Sequence, residues 1–577
     1  MSTADLEDRL AEWSQPGHPF DPVLLTAHDE AETFPAEACA ALDGWGLPHY
    51  YVPVRHGGRQ DRLDEFHALL RRIAARDMTV AVAHGKTFLG GVCVWMAGED
   101  GPADRLARHV LAGEPVAWGL TEPDGGSDLL AGSLTATRHG SGWRLSGRKW
   151  PVNNASRGNL MCVLARTDPQ GGPRGFTVFL VDKRATAAGT VRSLPKMPTH
   201  GIRGADISGV EFHEARVPAE ALVGTLGGGI ELVLKALQIT RIACVSLSLG
   251  AGDHALGLLR HYLGEHRLHG RDPVDLPYVR VTAGRALARQ FLAEAVAHTA
   301  ARAAHQVPEE LSVVSAVAKA FVPSLVQDQL RLIGDLLGAR SILTGAEGYG
   351  GFAKLERDHQ VVPLFDGSTW VNRSGLAGVL PLLRLGRRAA AAAAASPVHW
   401  LLEDYRPTPL DMRRLRLVTP RDSVLGELPV LAAEVTQQEG TSKAGAETAA
   451  LARALLTAWE RLDGDLADLR PVGGMPSTAM MRLAERYEWC FAGAAVLALY
   501  RARPRLHSGL WGQDGLWLRG CLTLVLEGMG HEPTGSVPVY NRLGSLLTSS
   551  QGVPVSVLDA PDADDPVRDG AVEVTLP

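Results

Sequence analysis

Between Val116 and Gly224 the apolar residues stop recurring at helical spacing and fall into short β-rich runs, WRLSGRKW, LMCVLART, GFTVFLVDK and ISGVEFH, separated by Gly, Pro and Asp clusters. This change of period constrains the chain most, because a two-residue repeat does not settle as a helix. Before it the pattern is helical: in Leu63 to Asp77, residues Phe66, Leu69, Leu70 and Ile73 fall at i, i+3, i+4 and i+7. After it, long helical patterns such as Ile230 to Leu258 and Ser312 to Leu337 suit a helix bundle. Leu382 to Pro397, rich in Arg and Ala and ending in Ser-Pro, reads as a helix end or semi-rigid linker. Beyond it, Ala446 to Leu462 and Ser477 to Arg501 are again helical in pattern. At 577 residues several domains are expected. The expected class is α+β, mostly α: helices at 1–115, a β-barrel or sandwich at 116–224, a helical bundle at 225–388 and an extra helical domain at 397–577.

Charge narrows the function classes. Lys and Arg number 58 against 64 Asp and Glu, a net charge of −6, without the basic excess that a nucleic-acid binder needs. The six cysteines form no CxxC pair, which argues against a zinc site or a disulfide scaffold and reads as buried thiols in a reducing compartment. Met1 to Pro16 has neither the basic-then-apolar order of a secretory signal nor an Arg-rich transit pattern, and no uninterrupted apolar stretch spans a bilayer. A cytoplasmic protein without a clear membrane segment is expected.

The candidate chemistry starts in the β-domain. Leu120-Thr121-Glu122-Pro123-Asp124-Gly125-Gly126-Ser127-Asp128 is a turn-rich segment whose glycines let backbone N–H groups approach a ligand and whose hydroxyls can bond to it. Such loops are also common as plain surface turns. This one resembles the T-E-P-x-x-G-S-D signature of the acyl-CoA dehydrogenase superfamily, and further landmarks follow in order. Gly147 to Asn154 is similar to the family's G-x-K-x-W-I-T-N strand beside the flavin, with Pro151 at the tryptophan position and Asn153 at the threonine position. Gly201-Ile202-Arg203, Val210-Glu211-Phe212 and Arg216-Val217-Pro218 resemble the end of the family's β-domain. Ser315 to Phe321 is similar to its A-K-x-F helix, and Thr344 to Gly351 to its G-G-x-G-Y turn, with Ile342 where a glutamine usually stands. The resemblance covers residues 5 to 388. It implies a helical domain, a β-domain and a four-helix bundle, with the remaining helices similar to the extra domain of very-long-chain members.

The family's properties carry over residue by residue. The resemblance implies FAD, with Leu120, Thr121, Gly126, Ser127, Pro151, Asn153, Arg267, Gly345 and Ser368 as cofactor residues. Ser127 and Arg241 are the implied substrate residues, Arg241 lying where the family places an arginine near the pantetheine arm; a plain surface-helix arginine is the competing reading. In His266-Arg267-Leu268-His269-Gly270 the arginine of the R-x-x-F-G motif is shifted by one place. Either Arg267 meets the pyrophosphate from that shifted frame or His266 replaces it weakly, since histidine lacks arginine's bidentate fork.

Arg357-Asp358 opens a run ending in Phe365-Asp366-Gly367-Ser368-Thr369, which resembles the R-D-x-x-x-x-x-I-Y-E-G-T segment and puts Asp366 at the catalytic glutamate position. The implied reaction is removal of the α-proton of an acyl thioester by Asp366 while hydride leaves the β carbon for flavin N5, with the Asp366 amide among the donors to the enolate. The competing reading of Asp366 is a helix N-cap. Thr240, at the alternative base position of some branches, cannot serve. Glu122 reads as an organiser of the signature loop and Asp358 as a paired structural acid. The implied partners are an acyl thioester of CoA or of an acyl carrier protein and an electron-transfer flavoprotein, and the implied assembly is a homodimer or larger. Two alternatives stay open: a flavin oxidase or monooxygenase on the same scaffold, and a degenerate, non-catalytic binding or assembly protein.

Overall fold

Helical periodicity resumes wherever the sequence predicts it, and the strands fall in the segment between. The computed structural model describes residues 3–345, 350–390, 399–402, 405–438, 442–469, 474–549 and 555–559. The chain divides into two units, Met1–Ala243 with Pro409–Leu417, and Cys244–Thr408 with Val418–Pro577.

The first unit begins with helices α1 (Thr3–Trp13), α2 (Pro22–Glu30), α3 (Ala36–Trp45), α4 (Leu63–Arg76), α5 (Met78–Ala97) and α6 (Asp100–Leu111). In α4 the residues at i, i+3, i+4 and i+7 are all buried, together with Leu63, His67, Arg71 and Ala74. Asp77 ends that helix in an extended conformation and caps the next, its carboxylate accepting from Val80 N at 2.8 Å. Helix α5 is apolar nearly all round, as a core helix should be.

Strands β1 (Val116–Gly119), β2 (Thr135–His139), β3 (Gly142–Asn153), β4 (Leu160–Arg166), β5 (Phe176–Asp182), β6 (Val191–Leu194), β7 (Ile207–Val217) and β8 (Leu222–Val223) follow. They form one mixed sheet in the order β6-β7-β3-β2-β4-β5-β8, with β1 parallel to β4. Trp143, Leu145, Phe179, Val181 and Phe212 share its core. Pro151 has no N–H to give the ladder, and the β3–β7 register shifts between Lys149 and Val152. The Trp150–Pro151 peptide is cis.

Helix α7 (Gly229–Glu265) extends the expected Ile230 to Leu258 segment in both directions. In the second unit it is followed by α8 (Pro277–Gln306), α9 (Leu311–Leu337), α10 (Gly350–His359) and α11 (Thr369–Ala390). The α11 helix runs well into the segment from Leu382 that reads as a helix end or linker, because Ala, Leu and Arg are good helix formers. Residues 391–398 of that segment lie outside the described residues. Helices α12 (Ser423–Gly426), α13 (Leu428–Gln438), α14 (Lys443–Asp465), α15 (Thr478–Ala502), α16 (Gly509–Gly512), α17 (Leu516–Gly528) and α18 (Ser536–Ser549) complete the unit.

Two contacts among the described residues illustrate how the later helices pack on the bundle. Arg373 on α11 forks onto the buried Glu488 of α15, with bonds of 2.9 and 2.7 Å. Helix α18 lies against α8 so closely that a Cβ on Gly284 would sit 1.8 Å from the Tyr540 carbonyl oxygen, and one on Gly544 1.9 Å from that of Arg280. Backbone on both sides leaves no room to yield. Gly284→Val is therefore expected to cost about 1–3 kcal/mol of stability through overpacking, read as a lower urea midpoint; an unchanged midpoint would show that the α8–α18 contact is not required.

Met78–Ala97 and Gly229–Glu265 are long and apolar enough to cross a membrane by length and composition, but 83% and 78% of their apolar windows are buried in protein. All six cysteines are free and buried. Among the described residues no His, Cys, Asp and Glu cluster could hold a metal ion.

Candidate active site

In the first unit the signature loop is organised from beneath by a buried ion pair. The Lys149 ammonium, 1% exposed, donates to Glu122 Oε1 at 2.7 Å and to the Leu120 carbonyl at 3.0 Å. Glu122 also accepts from Ser133 N, Ser133 Oγ and Leu134 N at 2.7, 2.6 and 3.0 Å. Burial works to raise this carboxyl, but Lys149 and the other donors outweigh it and hold it at about 2. Glu122 thus serves as an ionised organiser and not as a proton carrier at neutral pH. Above it, the Thr121 carbonyl accepts from Trp150 N at 2.9 Å, tying the loop to β3. Gly126 takes φ 50, while Ser127 is exposed and Asp128 caps the short turn that follows, through Leu130 N and Ala131 N.

Asn153 ends β3 opposite Ile207. Both polar atoms of its side-chain amide are shielded from solvent and have no hydrogen-bond partner among the described residues. Leaving such a group unpaired is costly, so a buried amide of this kind suits a polar ligand. The donor and acceptor of one amide match the edge of a flavin ring. Pro151 is exposed beside it.

In the second unit Asp366 sits on a clamped loop. Lys319, fully buried on α9, donates to the Val362 carbonyl at 2.8 Å and the Gly367 carbonyl at 3.2 Å, with the Phe365 ring centre 5.6 Å from its ammonium. Asn372 Nδ2 donates to the carbonyls of Gly367 and Ser368 at 2.7 and 3.0 Å. The helix cap is Ser368, whose hydroxyl accepts from Val371 N at 3.3 Å, so the N-cap reading of Asp366 is replaced. Asp366 itself adopts φ 54 and Gly367 φ 85, a left-handed pair that aspartate and glycine tolerate best. The Cys244 thiol donates to Asp366 Oδ2 at 2.8 Å.

The approach to this loop is equally fixed. Asp358 pairs with Lys354 at 2.7 Å, as the structural-acid reading requires. Next to it, His359 Nδ1 bonds Gln327 Oε1 at 2.9 Å and Nε2 bonds the Ser248 hydroxyl at 3.0 Å. Gln327 Oε1 is an acceptor, so Nδ1 carries the proton of a neutral ring. Burial, with the Lys319 charge adding to it, holds His359 down at about 3. An unfolded histidine titrates near 6.5, so below that pH the unfolded chain takes up a proton that the native chain refuses. Stability is lost as pH falls from about 6.5 toward 3, at no more than about 1.4 kcal/mol per pH unit. His359→Gln is expected to flatten this limb, so that the drop in urea midpoint between pH 7 and pH 5 becomes smaller than in the wild type; parallel behaviour of the two proteins would contradict it.

Arg267 lies in a local turn, donating to the His266 carbonyl at 3.0 Å and pairing with Asp272. Gly345 is exposed, and residues 346–349 of its turn lie outside the described residues. Arg241 is half-buried on α7, and the adjacent Thr240 is buried, its hydroxyl donating to the Leu237 carbonyl at 3.4 Å. Cys244, Asn372 and His359 were not singled out from the sequence, where nothing in their local patterns distinguishes them from core residues.

Residues 117–215 match the acyl-CoA dehydrogenase middle domain, and residues 227–380 match the acyl-CoA dehydrogenase C-terminal domain. These two regions belong to the acyl-CoA dehydrogenase family. It is 23% identical over 346 residues to a probable acyl-CoA dehydrogenase of Mycobacterium tuberculosis, covering 60% of this chain and 87% of that one. It is 30% identical over 240 residues to the cyclohex-1-ene-1-carbonyl-CoA dehydrogenase of Geobacter metallireducens, covering 40% and 61% of the two chains. An acyl-CoA dehydrogenase from Bacillus anthracis, solved in complex with FAD, has the same fold with a TM-score of 0.68 at 15% identity, over 95% of this chain and 94% of that one. The likeness to that acyl-CoA dehydrogenase extends past the C-terminal domain match, so the fold with extra C-terminal helices is not peculiar to this chain.

Proposed function

We propose that this chain is an FAD-dependent dehydrogenase that forms an α,β double bond in an acyl thioester of CoA or of an acyl carrier protein. The observation that carries the reading is the clamped loop of Asp366, a carboxylate inside the matched C-terminal domain, which is read here as the base. Asp366 takes the α-proton, made acidic by the thioester carbonyl, onto its carboxylate. FAD, when bound, accepts the hydride that leaves the β carbon. The unpaired Asn153 amide supplies the hydrogen-bonding group that such a cofactor needs. Leu120, Thr121, Gly126, Ser127 and Pro151 complete the cofactor residues proposed from the first unit; Arg267, Gly345 and Ser368 are those proposed from the second. Glu122 and Lys149 hold the signature loop in shape, and Ser127 and Arg241 are proposed to meet the thioester.

Aspartate is one methylene shorter than glutamate, and a misplacement of about 1 Å can cost about a hundredfold in rate. The Lys319 and Asn372 clamp fixes the backbone of the loop that carries the shorter side chain. An electron-transfer flavoprotein as acceptor, a homodimeric assembly and a cytoplasmic location complete the reading. Its test is the absorbance spectrum of the purified protein, before and after addition of FAD, with mass spectrometry of thioesters incubated with it. Bound flavin and a product lighter by two hydrogens are expected. A protein that neither carries nor takes up flavin would instead favour a non-catalytic scaffold.

A further inference from the structure

The geometry points to Cys244 as a positioning residue for the Asp366 carboxylate. This rests on the reading of Asp366 as the base. Cys244 is 2% exposed, on α7, and its sulfur lies 2.8 Å from Asp366 Oδ2. Both residues belong to the second unit, and they are 122 positions apart in the chain. A thiol carries one weak donor, and an ionised carboxylate only accepts, so the contact has a direction: sulfur gives, Asp366 receives.

The backbone at Asp366 is already fixed by its φ of 54 and by the Lys319 and Asn372 bonds to its neighbours. Those bonds go to backbone carbonyls, whereas the thiol acts on the side chain itself: a donor on one carboxylate oxygen restricts its rotation. Donation to the charged form also favours that form, which keeps the base ready to accept a proton near neutral pH. Once Asp366 is protonated the contact weakens, because sulfur accepts poorly. The thiol therefore holds the reactant state of the base without competing for the proton. Because it is buried, Cys244 is sheltered from the oxidants and alkylating agents that an exposed thiol would meet.

Two measurements test the assignment. In the first, flavin reduction by an acyl thioester is followed across pH in the wild type, Cys244→Ala and Cys244→Ser. The alanine variant is expected to lose about tenfold in kcat with little change in KM, and its acidic limb is expected to move to higher pH, because a lost donor to a charged acceptor destabilises the ionised base. Serine restores a donor and is expected to recover most of the rate and the original limb. An unmoved limb in Cys244→Ala, or a serine variant as impaired as the alanine variant, would overturn the assignment. In the second, which needs no turnover, the S–H stretching band of Cys244 is identified in the infrared by its disappearance in Cys244→Ser. It is expected to move to higher frequency in Asp366→Asn, where the acceptor is weaker; a band indifferent to residue 366 would overturn the contact itself. If Asp366→Asn reduces its flavin at the wild-type rate, the base reading fails. If that variant is inactive while the Cys244 limb and band stay put, the base stands and only the positioning role falls.

Discussion

Asp366→Asn is expected to slow flavin reduction by an acyl thioester by about a hundredfold to ten-thousandfold, the range that positioned general bases contribute. The amide keeps the size of the carboxylate and can still occupy the φ 54 conformation, which asparagine tolerates well. Its neighbours should hold as before, since the Lys319 and Asn372 bonds go to backbone carbonyls and not to the Asp366 side chain. What disappears is the capacity to take a proton. The variant should therefore retain its flavin spectrum and thermal stability, and fail at the chemical step in stopped-flow absorbance. Loss of flavin or of folding along with the rate would mean that Asp366 acts structurally instead.

The second large effect is expected from Lys319→Met. Methionine fills similar volume without a donor, so the Val362 carbonyl loses its bond while the Gly367 carbonyl keeps the one from Asn372. An orphaned buried carbonyl costs about 1–3 kcal/mol, and relief of that cost comes most readily from movement of the loop that carries Asp366. A shift of about 1 Å is enough to lower the rate about a hundredfold. The expected signature is a large fall in kcat accompanied by a modest fall in melting temperature. A variant with wild-type kcat would show that the loop holds its shape without the ammonium.

The parts of the fold that the sequence discloses are those with a long, repeated pattern. The α4 stripe of Phe66, Leu69, Leu70 and Ile73 is buried as its spacing requires; the strands expected at WRLSGRKW and ISGVEFH lie within β3 and β7, while LMCVLART overruns β4 by one residue at its end and GFTVFLVDK overruns β5 by one residue at each end. The short strands β1, β6 and β8 escape such a reading because two to four residues carry too little periodicity to stand out from a loop. The site divides in the same way. The Glu122 and Asp358 roles follow from local motifs, and each finds its partner nearby in the fold. The Asp366 surroundings do not, because Cys244 and Lys319 reach it or its loop from distant segments. Cys244 sits in an apolar run, Ile242-Ala243-Cys244-Val245, where a small buried residue is the natural expectation. The end of α11 was ambiguous for a different reason: Pro381 lies inside the helix, and the residues after it have helical propensity but little amphipathic pattern.

The most direct test of the central claim is an anaerobic titration of the flavin-loaded wild-type protein with a panel of acyl-CoAs and acyl carrier protein thioesters, following the flavin absorbance. Bleaching by at least one thioester, stoichiometric with formation of the α,β-unsaturated product, is the result the account predicts. A flavin that stays oxidised with every thioester in the panel, while a chemical reductant still bleaches it, would contradict it.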